Sequence, residues 1–76
     1  MKDLISFLIK NITGVEDIDI EEQSEDSRIN YLIHAKPEQI GLIIGKEGKT
    51  IKNLRRIVSI RATLENKVVN LAVEEK

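Results

Sequence analysis

Between residues 28 and 73 the spacing of apolar residues changes period twice, and this limits the folds open to the chain more than any other feature. Ile29, Tyr31, Ile33 and Ala35 alternate with Arg28, Asn30, Leu32, His34 and Lys36, the period of a strand with one buried face. Pro37 stops that strand and suits the first position of a helix, where its missing N–H has no partner to lose. From Glu38 the spacing is helical, with Ile40, Ile43 and Ile44 on one side, until it meets Gly45-Lys46-Glu47-Gly48. A second helical run from Lys49 to about Leu64 turns Ile51, Leu54, Ile57, Val58 and Leu64 inward and Lys49, Lys52, Asn53 and Arg56 outward. After a turn at Asn66, the residues Val68, Val69, Leu71, Ala72 and Val73 read as a last strand.

Upstream, Leu4, Ile5, Leu8, Ile9 and Ile12 share one helical face, with Asp3 placed to cap the helix and Gly14 just past its end. Ile18 and Ile20 alternate with acids between Val15 and Glu22, which suits a strand with one wet face. Ser24-Glu25-Asp26-Ser27 then reads as the turn of an antiparallel hairpin. The order α-β-β-α-α-β implies a two-layer α+β domain spanning residues 1–76, a three-stranded sheet with its helices on one face. The apolar final strand is expected at a central or well-covered position and the acid-rich first strand at an edge.

A chain of 76 residues must bury nearly all its Ile, Leu and Val in one core to fold alone. It has no Cys, which excludes disulfides and thiolate metal sites. No apolar run reaches the roughly 18 residues of a membrane span, and the N-terminus does not read as a signal peptide, so a cytosolic protein is expected. With 12 Lys/Arg against 13 Asp/Glu the net charge is −1, yet the charges are segregated. Residues 15–26 carry seven acids and no base, whereas residues 46–61 carry six bases against Glu47 alone. The basic stretch invites an anionic partner.

That stretch contains the most informative segment, Ile43 to Ile51. Two glycines three apart between helices let the chain reverse at positive φ, with no Cβ obstructing what approaches. The following helix is expected to begin with free N–H groups. Its positive dipole end, reinforced by Lys46, Lys49 and Lys52, makes an anion site for which a phosphodiester is the natural ligand. Gly48-Lys49-Thr50 is not the tail of a nucleotide-binding P-loop, because the position five before Gly48 is Ile43 and the loop follows a helix instead of a strand.

The run Gly41-Leu42-Ile43-Ile44-Gly45-Lys46-Glu47-Gly48-Lys49-Thr50-Ile51, set in an α-β-β-α-α-β order, resembles the KH domain in its bacterial, type II arrangement. The resemblance covers essentially the whole chain, and its length and first helix are similar to the stand-alone KhpA type. It implies binding of single-stranded RNA, with the glycine loop holding the backbone of about four nucleotides while bases lie in a neighbouring groove. Carried over, Gly45, Lys46, Glu47 and Gly48 form the loop, Ile44 and Ile51 flank it, and Gly41 leaves room for a base. Lys49, Lys52 and Arg56 are assigned to phosphates. Glu47 departs from an all-basic loop by placing a negative charge where phosphates pass. The resemblance also implies a homodimer, or pairing with a larger KH-containing protein of the Jag/EloR type, and a role in post-transcriptional regulation or as an RNA chaperone linked to cell shape.

Other residues have plainer readings. Phe7 and Tyr31 are the only aromatics and neither is near the basic helix in sequence, so base stacking on a sheet is not expected. His34 lacks any partner set and reads as a surface or hydrogen-bonded residue. The acids of residues 15–26 lack calcium-loop spacing and read as a solvated strand edge. No Ser has a base at motif spacing, so no enzyme activity, cofactor, metal or small-molecule substrate is expected. Arg55 and Arg61 are candidates to pair with acids or a partner protein, and Ile57 and Ile60, if exposed, would offer a patch for self-association. A protein-protein adaptor with incidental RNA affinity is the alternative function.

Overall fold

The computed structural model describes residues 1–76. Helix α1 spans Lys2–Thr13. Ile5 and Ile9, one turn apart, are completely buried, and Leu8 packs against the same core. Gly14 ends the helix in a left-handed conformation (φ 79°), its N–H donating to the Lys10 carbonyl at 2.8 Å. The expected Asp3 cap is not formed. Met1 takes the cap position, and Asp3 sits inside the first turn, where its charge suits the positive helix end without a bond.

The remaining elements are β1 (Asp19–Glu25), β2 (Arg28–Ala35), α2 (Pro37–Ile44), a short 3-10 turn (Lys46–Gly48), α3 (Lys49–Leu64) and β3 (Val68–Glu75). β1 pairs antiparallel with β2 through a two-residue turn at Asp26 and Ser27, with Asp26 at φ 46°. β1 thus starts later and ends later than the apolar pattern suggested, and Val15 is buried ahead of it. β2 pairs parallel with β3, whose register sets Ile29 opposite Val69 and Tyr31 opposite Leu71.

The sheet order is β1-β2-β3, which overturns the expected central position of the last strand. β2 is central and β3 is an edge. The apolar run of β3 is buried only at Val69 and Leu71, which turn toward the helices, while Val68, Asn70 and Ala72 are exposed. The acidic β1 is the other edge, as expected.

All three helices lie on one face of the sheet. α2 and α3 pack on β3, and α1 packs on β1 and α3. The core beneath them gathers Ile29, Tyr31, Ile33 and Ala35 of β2 with Ile43 of α2 and Leu54, Val58 and Ala62 of α3, and holds no charged residue. The inward stripe of α3 therefore advances four residues at a time. Ile57 and Leu64, expected inward, fall beside and beyond it and are 41% and 77% exposed, while Ala62 takes the third inward place. On α2, Ile43 is buried but Ile44 is partly exposed.

The acidic segment ahead of β1 is tied down by lysines. The Asp17 carboxylate accepts from Lys36 Nζ at 3.0 Å and from Lys76 Nζ at 3.1 Å. The hydrogen bond from Lys36, and then that from Lys76, holds the Asp17 carboxyl below its ordinary pKa, and the Lys76 ammonium is raised in turn by Asp17. These contacts join the β1 lead-in to the start of α2 and the end of β3.

Candidate nucleic-acid interface

The loop between α2 and α3 owes its shape to its two glycines, which play different parts. Gly45 adopts φ 77° and ψ 174°, a region essentially closed to residues with a Cβ. A Cβ there would also come within 2.7 Å of Thr50 Cβ and 2.9 Å of the Thr50 backbone nitrogen. Gly48 is left-handed (φ 75°, ψ 15°), but a Cβ there would have only Ile51 Cγ2 for company, at 4.0 Å. Between them Glu47 also takes positive φ, 58°. The close packing of Thr50 on Gly45 has no signal in the sequence.

The N–H groups at this corner are not all free. Gly48 N–H donates to the Gly45 carbonyl at 3.1 Å, and Lys49 N–H donates to the Lys46 carbonyl. Two of the amides expected to face a ligand are therefore spent on closing the loop. The start of α3 nonetheless has no side-chain cap and no acid in its first turn, so its positive dipole end is offset only by Glu47 just ahead of it.

The cations carry more of the site's charge than the amides do. Lys46, Lys49, Lys52 and Arg56 are all exposed, and none has a carboxylate within 4.0 Å. Lys49, Lys52 and Arg56 recur at intervals of three and four on the outer face of α3, level with the loop and just below it. The other two arginines are engaged elsewhere. Arg61 pairs with Glu65 at 3.5 Å, and Arg55 Nη2 donates to the Leu71 carbonyl at 3.4 Å, fastening α3 to β3.

Gly41 sits exposed on α2 with open space where a side chain would be. Next to it, Leu42 is 55% exposed and Ile44 37%, while Ile51 is partly buried against the core. Leu42 was missed because helical spacing placed only Ile40, Ile43 and Ile44 on one side. It adds apolar surface to the same end of α2 as Gly41 and Ile44. Tyr31 is buried, and Phe7 stands exposed on α1.

One depression, about 190 Å³, lies on the sheet face away from the helices, lined by Gln23, Asn30, Leu32, Asn70 and Ala72, with Asn70 Nδ2 donating to Asn30 Oδ1 at 2.9 Å. Its surroundings argue against a polyanion. Register places Asp19, Glu21 and Glu25 beside it on β1, and His34 Nε2 lies 3.6 Å from Glu21 Oε1.

Comparison with known proteins agrees with this architecture. A family profile described as KhpA/KhpB, KH domain matches residues 2–73. The chain belongs to the KhpA/KhpB family of KH domains. It is 42% identical to the RNA-binding protein KhpA of Chlamydia caviae, over 99% of this chain and 97% of that protein. It is 33% identical to the KhpA of Clostridium perfringens, over 91% of this chain and 93% of that one. It is also 41% identical to a probable transcription termination protein NusA of Thermoplasma acidophilum, over 76% of this chain but only 40% of that protein. The KhpA relatives are thus similar along nearly their whole length, whereas the NusA similarity covers a part of a larger protein.

Proposed function

We propose that residues 1–76 act as one non-catalytic KH domain that binds single-stranded RNA through the Gly45–Gly48 loop and the outer face of α3. The observation that carries this reading is the set of four unpaired cations, Lys46, Lys49, Lys52 and Arg56, around a glycine-built corner at an uncapped helix start. In this reading Lys46 and Lys49 meet the first phosphates, Lys52 and Arg56 those that follow, and Gly45 and Gly48 keep the loop thin enough for the strand to lie against it. Gly41, Ile44 and Ile51 border the bases, and Glu47 lowers affinity without reversing the local charge. The names of the KhpA relatives support the same reading. The family's association with post-transcriptional regulation makes a cytoplasmic regulator or RNA chaperone the natural setting.

A second copy of the chain, or a larger KH-containing protein of the Jag/EloR type, is the proposed protein partner. The exposed Ile57, Ile60 and Leu64 of α3 favour that partner, since three apolar side chains on one stripe gain by being covered. The functional test is the double substitution Lys46→Asp and Glu47→Asp, which turns a loop whose Lys46 and Glu47 charges cancel into one with two acids and leaves the core untouched. Gel-shift or anisotropy with an unstructured oligouridylate is expected to show binding abolished while the circular dichroism spectrum stays native. Unchanged RNA binding alongside a broken protein complex would instead establish the adaptor reading.

A further inference from the structure

One face of the sheet is covered by nothing in the chain, because all three helices pack on the other. Strand pairing gives this open face four carboxylates, Asp19, Glu21, Glu25 and Glu74, against Arg28 and the titratable His34. Glu25 and Glu74 have no basic side chain within 4.0 Å. Glu21 has only His34 Nε2, at 3.6 Å, and Asp19 is held by Lys76 Nζ at 3.4 Å. The acids surround the depression of about 190 Å³, whose floor is the apolar pair Leu32 and Ala72. Positive charge is what such a face attracts.

Two hydrogen bonds orient the rim of the depression. Asn70 Nδ2 donates to Asn30 Oδ1 at 2.9 Å, and Gln23 Nε2 donates to Glu21 Oε2 at 3.3 Å. Asn70 Oδ1 and Gln23 Oε1 are left as acceptors beside the Glu21 carboxylate. An apolar floor ringed by acceptors suits a planar, weakly hydrated cation with several donors, which describes a guanidinium better than an ammonium. The volume of about 190 Å³ falls below the roughly 300–1,000 Å³ of small-molecule sites, so the depression takes one side chain and not a free ligand.

We infer that the open face of the sheet docks an extended basic segment of a partner protein, with one arginine seated over Leu32 and Ala72. Glu25 stands opposite Arg28 and Glu74 opposite His34, so these two acids are about 20 Å apart along β2 at about 3.3 Å per residue. The depression, between Asn30 and Leu32, lies midway. An extended segment along β2 with its arginine in the depression therefore carries basic residues about two to four positions away over Glu25 on one side and Glu74 on the other. Arg28 offsets Glu25 in part, so the end bearing Glu21 and Glu74 attracts more strongly. The Gly45–Gly48 loop and the outer face of α3 belong to the opposite layer, so docking neither needs RNA nor excludes it.

The test titrates the isotope-labelled chain, without RNA, with a peptide of about nine residues that has Arg at its centre, Lys at the alternate positions on either side and Ser elsewhere. Two control peptides replace the central Arg by Lys, which keeps the charge without the planar fork, or by citrulline, which keeps the shape without the charge. The Arg peptide is expected to saturate a single site and to shift the amides of Gln23, Asn30, Leu32, Asn70 and Ala72. It should bind at least about tenfold more tightly than either control. Ala72→Arg, at an exposed position, sets the chain's own guanidinium at the depression, and Glu21→Gln with Glu74→Gln removes the stronger acid end. Each variant should weaken the Arg peptide at least about tenfold while thermal unfolding stays native. Equal binding of the three peptides, shifts confined to the acids, or undiminished binding by the variants overturns the inference. Concentration-dependent shifts of the same amides without peptide would give the face to a second copy and overturn it as well.

Discussion

Substituting Ala for each loop glycine separates two roles that look the same in the sequence. At Gly45 the φ/ψ pair lies where only Gly is comfortable, a strain of about 1–3 kcal/mol for any other residue. The added Cβ also meets Thr50 Cβ at 2.7 Å and Thr50 N at 2.9 Å. That nitrogen belongs to the first turn of α3, so relief requires moving the helix, and the cost belongs at the upper end, about 3 kcal/mol. At Gly48 the conformation is ordinary left-handed and the nearest atom is 4.0 Å away, which leaves about 1 kcal/mol. The difference is about 2 kcal/mol. At about 4–8 °C per kcal/mol for a domain of this size, Gly45→Ala should melt about 10 °C below Gly48→Ala. Urea and thermal unfolding by circular dichroism read this directly. Adding Thr50→Ala to Gly45→Ala should not restore stability, because the backbone nitrogen and Cβ of residue 50 remain. Equal costs for the two glycines, or full rescue by Thr50→Ala, would refute the packing argument.

Three further outcomes are expected. Leu54→Ala empties a fully buried site beneath α3 and should cost about 2–5 kcal/mol, enough to leave so small a domain largely unfolded at 37 °C by circular dichroism. The Tyr31 phenol is pushed up to about 12, first by burial and then by the hydrogen bond and charge of Glu22. Because the fold favours its neutral form, the resulting stability is intact below about pH 10 and is lost as pH rises toward 12. Absorbance at the tyrosinate band should show this single tyrosine ionising near 12, and Tyr31→Phe should flatten that part of the pH–stability curve. RNA affinity should fall with salt at a log–log slope near −3 for four phosphate contacts, and Lys52→Ala should reduce the slope by about 0.7. A salt-independent affinity would contradict the electrostatic reading.

Much of this architecture is legible in the sequence because particular residues leave no alternative. The alternation from Ile29 to Ala35 fits only a half-buried strand, and Pro37 and Gly14 mark a helix start and a helix end where the structure has them. Legibility fails where the physical signal is weak. Beyond Ile20, which packs against the core, β1 is polar on both faces, so its end at Glu25 is not marked by alternation, and Ile18, which shares the alternation, lies ahead of its start at Asp19. The run Val68 to Val73 looks buried on both faces, yet Asn70 pairs with Asn30 on the open face and the strand is an edge. On α3, Ile57 and Leu64 are as apolar as the buried residues, and only the four-residue step through Leu54, Val58 and Ala62 reveals that they face outward.

The candidate site shows the same division. Its cations and glycines stand in the sequence in order, and their exposure and lack of acidic partners follow from an outward helix face. The unequal roles of Gly45 and Gly48 do not, because they depend on where Thr50 sits. Nor does the use of the Gly48 and Lys49 N–H groups within the loop, which shifts the burden of anion recognition from amides to side chains.

The most direct measurement is amide chemical-shift mapping during titration of the labelled protein with a short oligouridylate. The account predicts that perturbations gather at Gly41, at Gly45 through Lys49, and at Lys52 and Arg56. Perturbations gathered instead at Asn30, Leu32, Asn70 and Ala72, on the opposite face of the sheet, would contradict it.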